Sequence, residues 1–285
     1  MILVFGKDGQ VGRELQRFKN VTAFGREQAD FRNPEQCVSL IHKHKPNAVV
    51  NAVAYTNVDQ AEIDEELATK INCDTPREIA RACSTLGIPY VHISTDYVFD
   101  GTGNVASRPN DLPNPQNAYG RTKRCGEVAV KDSGAIFVIL RTSWIISAHG
   151  TNFVKTMLKL SKSRDSIDVV ADQVGGPTPA MDVAAACIEI AKQLCEQPTK
   201  MGVYHFSGFP DVSWFSFASS IFELSGRKTI VSPIKTSDYP TVAKRPLNSR
   251  LDCSLTTSTF GVARPSWRSG ISEIISDLES CNEET

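Results

Sequence analysis

Tyr119-Gly120-Arg121-Thr122-Lys123 sets a phenol and an ammonium four residues apart. In a helix that spacing puts both on one face, where they can converge. A nearby cation favours phenolate and draws a tyrosine pKa down from about 10, so such a phenol can give or accept a proton. The alternative is a plain surface pair, since Y-x-x-x-K also arises by chance. Its place argues for chemistry, because it follows a long polar loop and an apolar run ending Ile93-Ser94-Thr95-Asp96-Tyr97. Thr95 would then stand at the carboxyl end of a strand, where open α/β sheets bind ligands. Its hydroxyl could donate to a carbonyl oxygen as charge builds there, or merely cap the strand.

A second constellation opens the chain. Gly6-Lys7-Asp8-Gly9-Gln10-Val11-Gly12 is G-x-x-G-x-x-G between an apolar run and a helical stretch. One glycine makes the tight turn, another lets backbone approach a pyrophosphate, and a third permits close helix–strand packing. The following helix N-terminus offers free N–H groups and a positive dipole end to phosphates. A plain glycine-rich turn is the bland alternative. The next apolar run ends Phe24-Gly25-Arg26-Glu27, with Asp30 beyond. A guanidinium there suits the 2′-phosphate of NADPH, whereas Glu27 would suit the ribose of NADH, and both cofactors stay open.

These residues need a frame. Residues 2–5, 21–24, 48–53, 90–94 and 135–140 have the length and composition of buried strands, and 167–170 reads as one more of the same kind. Residues 12–18, 34–45, 59–85 and 117–131 carry helical spacing between them. Such alternation predicts an α/β fold, a Rossmann-type doubly wound parallel sheet covered on both faces. After Gly175-Gly176-Pro177-Thr178-Pro179 the texture changes, although 181–194, 213–224 and 271–278 still read as helices. The expected division is a dinucleotide-binding part over 1–150, with a later strand and helices returning to it. Residues 151–285 would form a smaller substrate-binding part laid over the sheet's open edge.

Composition narrows the partners. Thirty-one Lys and Arg against 32 Asp and Glu give a net charge of −1, which offers no field for nucleic acid or an anionic membrane. No apolar run approaches the roughly 18–20 residues of a membrane span, and residues 2–5 lack the pattern of a signal peptide. Eight scattered cysteines without C-x-x-C read as buried thiols in a reducing compartment, hence the cytoplasm. His42 and His44, two apart, point to different helix sides and do not read as a metal pair.

Taken together, the glycine loop, Thr95, Tyr119 and Lys123 resemble an extended short-chain dehydrogenase/reductase. Longer strings resemble the dTDP-4-dehydrorhamnose reductases: residues 51–59 (NAVAYTNVD), 94–101 (STDYVFDG), 141–144 (RTSW), 172–178 (DQVGGPT) and 245–251 (RPLNSRL), in family order. The resemblance implies reduction of the 4-keto group of dTDP-4-dehydro-β-L-rhamnose by NADPH or NADH, with dTDP-L-rhamnose as product, used in polysaccharide biosynthesis. It implies that Tyr119 donates the proton, that Lys123 holds the nicotinamide ribose, and that Thr95 polarises the ketone. Cofactor contacts carry over to Gly6, Gly9, Gln10, Val11 and Gly12, with Arg26, Asp30 and Phe31 on the adenosine side and Ala54, Tyr55 and Thr56 on the third-strand side. Sugar contacts carry over to Thr95, Asp96 and Trp144, the last by stacking unless it is a core residue. Relatives are homodimers bridged by Mg²⁺ on glutamates. Glu14 matches one such position, but Met181 stands at another, and a thioether is a poor ligand for a hard cation, so no metal ligand is assigned.

Other readings remain. A sugar-nucleotide dehydratase would follow the threonine with Asp-Glu, whereas Tyr97 follows Asp96 here. A reductase of another dTDP-4-keto-6-deoxysugar shares every motif. A non-catalytic NADP-binding subunit, like that of methionine adenosyltransferase, would use the fold without the chemistry.

Overall fold

The computed structural model describes residues 1–283, with side-chain environments through residue 280. Six strands form the central sheet: β1 (Ile2–Phe5), β2 (Val21–Phe24), β3 (Ala48–Asn51), β4 (Tyr90–Thr95), β5 (Phe137–Thr142) and β6 (Gly202–His205). Their order is β2-β1-β3-β4-β5-β6 and every pairing is parallel. All residues of β3 and β5 are buried, as a sheet covered on both faces demands. Alternate residues serve the two faces. Val4, Val50, Val91 and Leu140 pack against α1 (Gln10–Leu15) and α5 (Ala180–Glu196). Leu3, Val49, Tyr90 and Ile139 face α2 (Pro34–His44), α3 (Thr75–Leu86) and α4 (Ala118–Lys131). The strand order reverses between β1 and β3, which opens a crevice outside their carboxyl ends.

Several expectations need correction. Ser166–Val170 is a strand, but it pairs with Ile230–Ile234 in a separate two-stranded sheet. Its burial alternates, the mark of a strand wet on one side, whereas β3 and β5 are buried throughout. The sixth central strand is β6, and α5 covers one whole face, so the later half does more than lie over an edge. A further core gathers around Phe217, Ile221 and Trp267, from helices Phe153–Leu160, Trp214–Leu224 and Trp267–Glu283.

The single helix expected over 59–85 is broken into Val58–Ala61, Glu65–Thr69, a π-helical turn Lys70–Asp74, and α3. Asn72 explains the turn. Its Oδ1 accepts the Tyr55 backbone N–H at 2.8 Å and its Nδ2 donates to Thr122 Oγ1 at 3.0 Å, so the widened turn joins the loop after β3 to α4. That turn also corrects the cysteine reading. Cys73 and Cys125 of α4 form a disulfide across 52 residues, with Cα atoms 5.3 Å apart. Cys37, Cys83, Cys187 and Cys253 are buried free thiols, and Cys195 is exposed. Cys281 lies outside the described side chains.

Candidate active site

The crevice is a cleft of about 680 Å³. Its floor is the loop between β1 and α1. Gly6 adopts φ +102°, and a Cβ at Gly12 would lie 1.8 Å from the Gly6 carbonyl oxygen, so α1 reaches this close only because residue 12 is glycine. Gly6, Gly9, Gln10, Val11, Arg26, Asp30, Phe31, Ala54, Tyr55 and Thr56 all line the cleft, and Gly12 is buried beneath them. Arg26 faces the cleft at the end of β2, and Glu27 is not among its lining. A cradle that a single methyl would fill, below an N-terminal helix end, fits a dinucleotide.

Three lining groups escape the sequence reading. Arg32 holds Asp30 through its Nε, at 3.1 and 2.8 Å from the two carboxylate oxygens, and keeps that carboxyl below its ordinary range. Gly150 and Thr151 close the far wall, where Asn152 Nδ2 donates to Gln10 Oε1 at 2.9 Å. The signal was there: Gly-Thr-Asn before an apolar helix is an N-cap, and Asn152 accepts from Lys155 N–H.

Thr95, Asp96, Tyr119, Lys123 and Trp144 are not among the residues that line this cleft; β4 and α4 bring Thr95 and Tyr119 together beyond it. Asn117 caps α4 through Gly120 N–H at 2.8 Å, which starts the helix so that Tyr119 and Lys123 fall on its sheet-facing side. Thr95 is the hydrogen-bonding neighbour of the Tyr119 hydroxyl, and the Tyr119 ring meets Tyr97 edge-on at 5.4 Å. Burial raises the Tyr119 pKa, and Thr95 opposes that rise. The expected lowering by Lys123 is absent because its ammonium turns away. Nζ donates to the Ile93 carbonyl at 2.7 Å and lies 3.5 Å from His92 Nε2. Burial takes Lys123 down to about 8, with Glu127 holding it up.

Asp96 and Trp144 bound the other side. Thr95 Oγ1 donates to Asp96 Oδ1 at 3.1 Å, and burial lifts the Asp96 carboxyl to about 6. Trp144 sits at φ +47° and stacks on Trp214, with centroids 3.5 Å apart and planes 10° apart. It is part-exposed, so one indole face is committed to a neighbour and the ring is not a core residue.

Glu14 ion-pairs with Arg17 at 3.1 Å and lies 3.6 Å from His149. Among the described residues no three His, Cys, Asp or Glu could hold a metal together. The Glu14 carboxylate is engaged by Arg17, and the thioether of Met181 is a poor ligand for a hard cation, so no step is derived through a bridging divalent cation.

Comparison with known proteins extends this geometry. A family model described as RmlD substrate binding domain matches residues 1–280. The dTDP-4-dehydrorhamnose reductase of Aggregatibacter actinomycetemcomitans is 40% identical over 286 residues, 96% of this chain and 97% of that relative. The crystal structure of a dTDP-4-dehydrorhamnose reductase from Clostridium acetobutylicum gives a TM-score of 0.91 at 37% identity, covering 98% of this chain and 99% of that one. The Bacillus anthracis enzyme, solved in complex with NADP, gives 0.89 at 34%, covering 97% and 98%. The likeness is neither local nor confined to the nucleotide loop. It runs through α4 and the C-terminal segments alike, and so the chain belongs to the dTDP-4-dehydrorhamnose reductase family.

Proposed function

We propose that this protein reduces the 4-keto group of dTDP-4-dehydro-β-L-rhamnose to give dTDP-L-rhamnose, using NADPH or NADH. The observation that carries the reading is the pairing of Thr95 with Tyr119 at the carboxyl end of β4, with Lys123 one turn further along α4 bonded to Ile93 of the same strand. The dinucleotide, when bound, supplies the hydride. Tyr119 keeps its proton at neutral pH because burial raises its pKa, so it is loaded as the general acid for the oxygen that gains charge. Thr95 donates to the same oxygen and steadies the charge. Lys123, as an ammonium, holds the ribose through the N–H groups left free by Ile93. Asp96 and Trp144 orient the sugar, and residues 151–285 supply most of its binding wall.

The same reading carries a cytoplasmic location and a homodimer that forms without a bridging cation. Among the described residues no helix is long and apolar enough to cross a membrane. The test is purified protein with dTDP-4-dehydrorhamnose and NADPH, with the product identified by NMR. Oxidation of NADPH with dTDP-L-rhamnose formed is the expected result, and Tyr119→Phe should lose about 10²-fold or more in the chemical step. No oxidation with either nicotinamide would leave a binding protein, and another product sugar would reassign the substrate.

A further inference from the structure

Behind Lys123 lies a buried polar group that the reaction above does not use. His92, on β4, is wholly buried, as are Asn51 on β3 and Tyr90 on β4. Asn51 Nδ2 lies 3.1 Å from His92 Nδ1, and the Tyr90 hydroxyl lies 3.3 Å from the same nitrogen. The other ring nitrogen, Nε2, faces Lys123 Nζ.

The amide orientation of Asn51 decides the proton on this ring. Its Oδ1 accepts the backbone N–H of Val53 at 2.9 Å, and a backbone N–H can only donate. The atom turned toward His92 is therefore the amide nitrogen, also a donor. His92 Nδ1 must accept, so a neutral ring carries its hydrogen on Nε2, pointing at Lys123. Burial, with Lys123 beside it, holds His92 well below its ordinary pKa and keeps the ring neutral.

We propose that His92 is a positioning residue: locked by Asn51 with its proton on Nε2, it turns a donor toward Lys123, opposes the ammonium there, and directs the Lys123 N–H groups to Ile93 and the cleft. Donor faces donor when Lys123 is charged, whereas a neutral amine accepts the Nε2–H. The other groups near this pair are few. Glu127, on α4, favours the ammonium, and the Tyr90 hydroxyl lies behind the ring with Cys83 beyond it. The inference rests on Lys123 acting as a cation in the reaction proposed above.

The sign follows. Activity that needs the ammonium is present below the Lys123 pKa and is lost as pH rises through it. The basic limb of kcat/KM for NADPH, which reports the free enzyme, should therefore lie near 8. Asn51→Asp keeps the bond to Val53 but offers His92 an acceptor, which moves the ring proton to Nδ1 and turns a bare Nε2 toward Lys123. His92→Gln can present a carbonyl oxygen to the same ammonium. Both variants should move the basic limb up by about one pH unit or more, each opposing-donor contact being worth a shift of that order.

The experiment pairs those profiles, on variants with wild-type circular dichroism, with ¹⁵N NMR of histidine-labelled wild-type protein. A His92 ring with Nε2 protonated and Nδ1 bare is the expected result. A limb unmoved in both folded variants overturns the proposal, as does an Nδ1-protonated ring, which needs no variant to fold. Loss of the Tyr119 dependence would instead remove the reading beneath it, whereas a Tyr119-dependent reductase with an unmoved limb overturns this inference alone.

Discussion

At the scale of single residues, Asp30 and Lys123 each owe their setting to one partner, Arg32 Nε at 2.8 Å and the Ile93 carbonyl at 2.7 Å. The glycine trio, Thr95, Tyr119 and Lys123 are recognisable because each needs a residue type at a fixed step from a strand end; Gly6 and Gly9 line the cleft, whereas Thr95 and Tyr119 pair outside its lining. What stayed hidden depends on tertiary contacts. Nothing in Y-x-x-x-K says that the lysine turns back to Ile93, and nothing near Asp30 says that Arg32 will grip it. That grip has a consequence for the cofactor. Asp30 is neutralised by Arg32, with Arg26 Nε 3.9 Å away, so this end of the cleft presents two cations around a paired carboxylate, with the Asp8 carboxylate beside Gly25. A 2′-phosphate suits that setting, and a charge-assisted hydrogen bond to it is worth about 1.5–3 kcal/mol. Arg26→Ala should raise KM for NADPH by about tenfold or more and leave that for NADH nearly unchanged. Steady-state kinetics with both nicotinamides checks it, and equal losses would place Arg26 outside 2′-phosphate recognition.

At the scale of elements, the catalytic helix is held by polar links that no hydrophobic pattern reveals. Along α4, Tyr119, Lys123 and Glu127 follow one another every four residues on the face toward β4. Glu127 accepts Ser94 Oγ at 2.8 Å and takes both Nε and Nη2 of Arg141 at 2.7 and 2.8 Å, so α4 is bonded to β4 and β5 at fixed register. The helix is also bonded covalently, through Cys125, to the π-helical turn that carries Asn72. Periodicity over 59–85 concealed that turn, because a π insertion shifts the apolar face without erasing it. The disulfide closes a loop of about 50 residues, for which chain entropy predicts roughly 4 kcal/mol and measured bridges give about 2–4. Reduction, or Cys73→Ala with Cys125→Ala, should therefore lower stability by a few kcal/mol. Urea titrations with and without a phosphine reductant, after mass spectrometry has confirmed the bridge in the untreated protein, measure it. An unchanged midpoint would mean that Asn72 and the apolar contacts hold the turn unaided.

At the scale of the whole molecule, the question is whether the nucleotide-binding half is a separable unit. The expected division falls at residue 150, and the first five central strands lie before that line. The division fails to register how the sheet is finished. β6, Gly202–His205, sets only Val203 and Tyr204 between a glycine and a histidine, so no apolar run marks it, and it completes the edge beside β5. α5 is the larger contribution. Val183, Ala184, Cys187, Ile188, Ile190, Ala191 and Leu194 are buried on the face formed by Val4, Val50, Val91 and Leu140, where only the six-residue α1 would otherwise lie. Full burial of an aliphatic side chain contributes about 1.5–3 kcal/mol, and whole domains are stable by about 5–15 kcal/mol. Losing that layer uncovers several aliphatic side chains of the sheet as well as those of the helix, which exceeds the margin. A fragment of residues 1–150 should therefore aggregate or melt without cooperativity, whereas adding residues 151–206, which restore α5 and β6, should recover a cooperative transition. Circular dichroism melts of the two fragments decide it. A sharp transition in the shorter one would mean that the sheet is stable with one face open, and that the division at residue 150 marks a true folding boundary.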